Sequence, residues 1–84
     1  MRAVITVIGK DKVGIIAGIS NTLADNNVNI LDISQTTMQD VFTMIMLVDI
    51  SNLTIPFPKL SEELEKKGQE MGLSVQIQHE DIFN

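Results

Sequence analysis

Along this chain the apolar positions switch between a spacing of two and a helical spacing, and each switch predicts an element. Residues 2–9 crowd β-branched side chains together (Val4, Ile5, Thr6, Val7, Ile8), which predicts a strand. It is apolar on both faces, so a central place in a sheet is expected. Over 14–26 the period changes: Ile15, Ile16, Ile19 and Leu23 recur at helical spacing, with Ala17 and Ala24 beside them and Asn21, Thr22 and Asp25 opposite. Asn26-Asn27 marks the stop, because Asn tolerates a left-handed cap. A second strand is predicted over 28–38 and a third over 41–51, separated by Gln39-Asp40, which reads as an antiparallel hairpin. After a loop from Ser51 to Pro58, the stripe Phe57, Leu60, Leu64, Met71 predicts a helix over 57–71 with prolines at its start and Gly72 in the left-handed position at its end. Its pairs Glu62–Lys66 and Glu63–Lys67 have the favourable i,i+4 orientation, worth a few tenths of a kcal/mol, roughly. Residues 73–80 alternate Leu73, Val75, Ile77 against Ser74, Gln76, Gln78, a strand with one wet face. In the tail, Ile82 and Phe83 read as a docking segment or the first residues of a further helix.

The order is β-α-β-β-α-β. Two right-handed crossovers of this kind interleave into a single domain over 1–84 of α+β class: a ferredoxin-like βαββαβ sandwich, a four-stranded antiparallel sheet with two helices on one face. In the third strand Phe42, Met44, Met46, Val48 and Ile50 share one parity, and Val41, Ile45 and Leu47 the other. Helices on one face cover only one of these sets. The other needs a second chain or forms an exposed patch, so a homodimer is expected.

Composition narrows the function classes. The hydrophobic share of 44% excludes disorder, and with only three aromatic residues, all Phe, the core must be aliphatic and Met. There is no cysteine, hence no disulfide and no thiolate metal site. A net charge of −5 with six scattered basic residues argues against nucleic acid and anionic membrane as partners. No apolar run approaches the ~20 residues of a membrane span, and the N-terminus does not read as a signal peptide, so the cytoplasm is the expected location.

The candidate chemistry lies between the first strand and first helix, in Gly9-Lys10-Asp11-Lys12-Val13-Gly14-Ile15-Ile16. A helix start presents free N–H groups and partial positive charge, which suits a small anion such as a carboxylate. Gly9 and Gly14 have a P-loop-like separation, but Ile15-Ile16 stand where Lys and Ser/Thr would be needed, which rules out a nucleotide site of that kind. His79, the one histidine, has only Glu80 and Asp81 beside it and reads as solvated surface rather than a metal site. The serines have no nearby base, so catalysis is not expected. Asp11 and Lys12 with the helix start, and Asn29 opening the second strand, together offer what a zwitterion needs: donors for its carboxylate and an acceptor for its ammonium group. The ordinary alternative is that Asp11 caps the helix and Asn29 a turn. Gly18, four residues after Gly14, reads as a close helix-to-strand contact.

Gly9-Lys10-Asp11-Lys12-Val13-Gly14-Ile15-Ile16-Ala17, followed by Leu23-Ala24, Val28-Asn29-Ile30, Asp32-Ile33 and Gln35, resembles the ACT-domain signature over essentially the whole chain. The resemblance is closest to small stand-alone bacterial ACT proteins and to the ACT halves of glycine-cleavage-type regulators. It implies a regulatory module; no enzymatic activity, cofactor or metal is expected, on the grounds of the residues above. Such a module binds an amino acid or similar ligand at a dimer interface and acts through a partner enzyme or regulator. The alternative is a structural interaction module with no small ligand. Family sites lie between the first β–α turn of one subunit and the start of the second strand of the other. Here those positions are Asp11, Lys12, Val13, Gly14, Ile15 and Ile16, with Asn29 and Ile30. Val13 replaces the usual Pro. The family pairs by sheet edges or by sheet faces.

Overall fold

The computed structural model describes residues 1–83. Over them the chain forms β1 (Arg2–Lys10), α1 (Ile15–Asp25), β2 (Asn29–Met38), β3 (Val41–Asp49), α2 (Phe57–Met71) and β4 (Leu73–His79), then a 3-10 turn over Glu80–Phe83. The predicted order holds, and the boundary shifts have local causes. The α1 helix starts after position 14 because Gly14 is left-handed. The β2 strand starts only at Asn29 because the Val28 N–H is taken up at the end of α1, donating to the Leu23 carbonyl at 2.9 Å. The β3 strand stops at Asp49, whose carboxylate accepts from the Ser51 N–H at 2.9 Å and turns the chain. The docking expected of Ile82 and Phe83 lies outside the described side chains.

The sheet order is β2-β3-β1-β4, antiparallel throughout, so β1 is central as its two-sided apolar sequence predicts. Ala3, Ile5 and Val7 on β1, Phe42, Met44, Met46 and Val48 on β3, and Leu73, Val75 and Ile77 on β4 are all buried on one face. Ile15, Ile19 and Leu23 of α1 and Leu60 and Leu64 of α2 close that face, so both helices lie on the same side. Each of these side chains larger than Ala3 contributes about 1.5–3 kcal/mol by leaving water. The parity predicted for β3 is the observed one.

The β2 strand is different. It pairs only with β3, and every residue along it except the half-buried Ile30 is exposed. A register shift between Ile30 and Asp32 leaves Leu31 without a partner on β3. The hairpin turn is at Gln39-Asp40 as expected, with Gln39 in a left-handed conformation at φ 58°.

Two expectations about the helices need correction. Gly18 makes its close approach to the other helix and not to a strand: a Cβ there would meet Met71 Sδ at 2.9 Å and Lys67 Cε at 3.1 Å. The carboxylate of Glu63 is not paired with Lys67; it accepts from Asn26 Nδ2 at 2.9 Å, and the same Nδ2 donates to the Thr22 carbonyl. Asn26, only 6% exposed, thereby fastens the end of α1 to α2. Among the described residues, neither Glu62–Lys66 nor Glu63–Lys67 forms an ion pair. His79 is not merely solvated, because its ring stacks on Phe57 with centroids 4.0 Å apart.

Gly68 is where α2 settles onto β4. A Cβ there would lie 2.7 Å from Val75 Cγ2 and 2.9 Å from the Leu73 carbonyl oxygen. An exposed helical Gly→Ala change gains up to ~1 kcal/mol of helix propensity. Here overpacking of about 1–3 kcal/mol opposes that gain. Gly68→Ala is therefore expected to lower stability by about 1 kcal/mol, and with it Tm by about 4–8 °C. Thermal unfolding checks the sign.

Arg2 and Glu80 join the start of β1 to the residue after β4 through a two-pronged ion pair. The hydrogen bond and charge of Arg2 hold the Glu80 carboxyl below its ordinary value. A carboxylate with a lowered folded pKa contributes stability above its unfolded pKa, and that contribution is lost as pH falls through the folded value. Between about pH 5 and about pH 3, the urea midpoint of the native chain is therefore expected to fall further than that of Glu80→Gln. An equal fall would mean that the pair contributes nothing, as many exposed pairs do.

Candidate functional site

The turn from β1 into α1 is shaped by Gly14, which stands at the N-cap with φ 92° and ψ 3°. An L residue with a side chain rarely adopts this conformation, and Gly adopts it freely. No side chain caps α1, and its first turn holds no acidic residue. The Gly14 carbonyl already accepts from the Gly18 N–H at 2.9 Å, so the helix is properly begun while its leading N–H groups stay open. The expected alternative, a cap from Asp11, is thus not what the turn contains. Asp11 instead anchors the loop through its backbone, its N–H donating to the Asp40 carbonyl at 2.8 Å and tying the turn to the β2–β3 hairpin.

Residues 11, 12 and 14–17 form one wall of an open hollow of about 330 Å³, and Gln35 of β2 and Phe42 of β3 form the other. Asp11, Lys12, Gly14, Ile15 and Ile16 are therefore together as expected. Val13 does not line the hollow and is fully exposed. Ile15 is buried, whereas Ile16 is 38% exposed beside the opening. The Lys12 ammonium lies 3.6 Å from where a Cβ on Gly72 would sit, which puts it at the C-terminal end of α2. A cation is favourable there.

Within one chain, Asn29 and Ile30 are far from this hollow. Asn29 pairs with Asp49, which pairs with Arg2, whereas Lys10, just before the turn, pairs with Val41 and through it with Met38. Eight residues of strand separate the two rows, roughly 26 Å at ~3.3 Å per residue. Asn29 instead shares a shallow hollow with Ala24, Asn27, Val28 and Asn52. Gln35, which lines the first hollow, was not among the residues expected there. Its place follows from the β2–β3 register, in which Gln35 pairs with Met44 and Thr37 with Phe42. The bulge at Leu31 hides that register from a simple parity count along β2. What the hollow offers is the uncapped start of α1, one primary amide, one acidic and one basic side chain, and apolar surface from Ile15, Ile16, Ala17 and Phe42, which suits a small polar molecule. Among the described residues, no three His, Cys, Asp or Glu side chains gather as they would around a metal ion, and no helix is long and apolar enough to cross a membrane.

With this βαββαβ architecture and an uncapped glycine turn in place, comparison with known proteins is direct. The ACT domain family model matches residues 2–78, and the chain belongs to that family. It is similar to a UPF0237 protein of Methanocaldococcus jannaschii, with 62% identity over 82 residues, 98% of this chain and 91% of that one. It is similar in structure to an ACT domain protein from Streptococcus pneumoniae, with TM-score 0.87 and 44% identity, covering 100% of this chain and 94% of that one. A candidate glycine cleavage system transcriptional repressor has the same fold in part of its length: TM-score 0.76 and 25% identity over 92% of this chain and 44% of that one.

Gly14 can be tested apart from any ligand. A Cβ there would meet nothing within 4 Å, so backbone strain alone sets the cost of a substitution. Gly14→Ala is expected to lose about 1–2 kcal/mol, and Gly14→Asn less, since Asn enters the left-handed region more readily. Urea unfolding of the two variants measures the difference.

Proposed function

We propose that this chain is a regulatory ACT module that binds an amino acid or a similar small carboxylate at the β1–α1 turn and acts through a partner protein. The observation that carries this reading is the uncapped start of α1 opening into a hollow with Gln35 and Phe42. The backbone N–H groups of Gly14, Ile15 and Ile16 donate to the ligand carboxylate, and the positive end of the helix adds to the attraction. Asp11 accepts from its ammonium group.

A second copy completes the site. The free edge of β2 invites another strand. Two copies paired antiparallel along it would bring the start of one β2 beside the end of the other. Asn29 and Ile30 contributed by the second copy then come to the side of the hollow that is open in a single chain. This arrangement reconciles the separation of Asn29 from the turn within one chain with the site positions implied by the family. The alternative, an interaction module without a small ligand, draws support from fully exposed Val13 at the tip of the same turn.

A thermal-shift screen with the common amino acids separates the two readings. A ligand specific for the folded state at a hundredfold excess over its Kd adds about 2.7 kcal/mol, which for a domain of this size raises Tm by roughly 10–20 °C. No shift with any amino acid would favour the interaction module. For the ligand found, Gly14→Asp is expected to weaken binding at least about tenfold, equivalent to ~1.4 kcal/mol of repulsion between two carboxylates. Circular dichroism should show the fold retained, because an acid near a helix start offsets part of the backbone strain. An intact fold with unchanged affinity by calorimetry would place the ligand elsewhere.

A further inference from the structure

We propose that the free edge of β4, with Glu65 and Gln69 of α2 beside it, is a docking site for an extended segment of a partner protein that points a lysine or arginine toward α2. It rests on the reading that this chain acts through a partner, and it gives that partner a chemistry. The sheet ends at β4, which pairs with β1 alone. In an antiparallel ladder every second residue turns its N–H and C=O away from its neighbour. Over Leu73–His79 those groups face outward, where an added strand pairs with them.

Three features single out this edge and say what fits it. The first is that it is unguarded. Edge strands are commonly blunted by a bulge, a proline or a charge. The β2 strand has two of these, the register shift between Ile30 and Asp32 and the charge of Asp32 itself. The β4 strand keeps continuous register with β1 from Leu73 to His79 and contains no proline, lysine, arginine or carboxylate. The second is shape. Gly68 lets α2 settle onto β4, where a Cβ would lie 2.7 Å from Val75 Cγ2. Glu65 and Gln69, on either side of Gly68 in sequence, then line an open trough of about 300 Å³ together with residues 73–76 of β4. A strand added ~4.8 Å outside β4 points every second side chain into that trough. Proline is excluded wherever the ladder needs its N–H. The third is charge. Glu65 is exposed and, among the described residues, has no ion-pair partner. Lys59 and Lys66 stand with it on the outer side of α2 but do not line the trough, which holds one acid and no base. A cation on the incoming strand complements it, and the net charge of −5 draws a basic segment in. A second copy would bring a second acid and again no base, so the complementary occupant is a different chain.

The probes are synthetic nine-residue peptides of alternating Ser and Val with one Lys moved through the positions, and a matching set with Glu in its place. Each is added at about 1 mM to the isotope-labelled native chain, which detects dissociation constants up to the millimolar range. The expected result is that at least one Lys peptide binds and slows amide exchange at alternate residues of 73–79 at least about tenfold. It should bind at least about threefold more tightly than its Glu counterpart. Glu65→Lys, at an exposed helix position, is expected to keep its fold by circular dichroism and to reverse that preference. Glu65→Gln, expected to abolish the preference, serves if the reversed charge does not fold. No binding by any Lys peptide would overturn the proposal, as would protection at β2 in place of β4 or an unchanged preference in the folded variants. Protection of β4 that grows with protein concentration in the absence of peptide would also overturn it, because a second copy would then hold the edge. The amino-acid screen reads the β1–α1 turn and the peptides read β4, so failure of either leaves the other standing.

Discussion

The rest of the fold depends on β1 lying between β3 and β4. Its inward residues Ala3, Ile5 and Val7 are fully buried, and its backbone is paired along both edges. Because the strand is in the middle, both helices can close over the inward rows, and the turn that leaves it begins at the rim of the sheet. The position of that turn follows from the ladder. Lys10 pairs with Val41, the first residue of β3, so the chain enters α1 beside the β2–β3 hairpin, and the Asp11 N–H reaches Asp40. Phe42 and Gln35 come to the hollow by the same register.

The order of elements was legible because each carries its own period. Leu73, Val75 and Ile77 could only be a half-buried strand, and Leu60 with Leu64 only a helix stripe. The turn around Gly14 was legible as a helix start, because a glycine stands between charged residues and an aliphatic helix; that it goes uncapped was not, since Asp11 was also a candidate cap. Contacts that depend on how elements meet were not legible. Local spacing pairs Glu63 with Lys67, but packing brings Asn26 within 2.9 Å of it, and a buried amide needs its partner more than an exposed ammonium does. Gly18 was read against a strand and found against α2, since nothing in a one-dimensional pattern says which neighbour a small residue faces. Gln35 escaped notice because the bulge at Leu31 shifts the parity of β2 partway along its length.

The site and the two free surfaces of the sheet are related. The helices cover one face of β1, β3 and β4 but, apart from the half-buried Ile30, leave β2 exposed on both sides. The opposite face is open along all four strands. With no cysteine in the chain, neither a disulfide nor a thiolate metal site compensates for the apolar surface that the helices leave uncovered.

The position of β1 also bears on how the chain assembles. Its partners come from residues 41–49 and 73–79, so β1 is enclosed only when the strand farthest from it along the chain joins the sheet. The β2–β3 hairpin is local and can close within microseconds, on the order of 1–10 μs. The contact between Ala3 and His79 spans almost the entire chain, and closures of that span slow folding. Without β4, one edge of β1 would lack its ladder and Ile5 and Val7 would lose Ile77 and Val75 beside them. The fourth strand, though short and at the margin of the sheet, therefore closes the longest loop in the fold, a contact that waits on nearly all of the chain between its two ends.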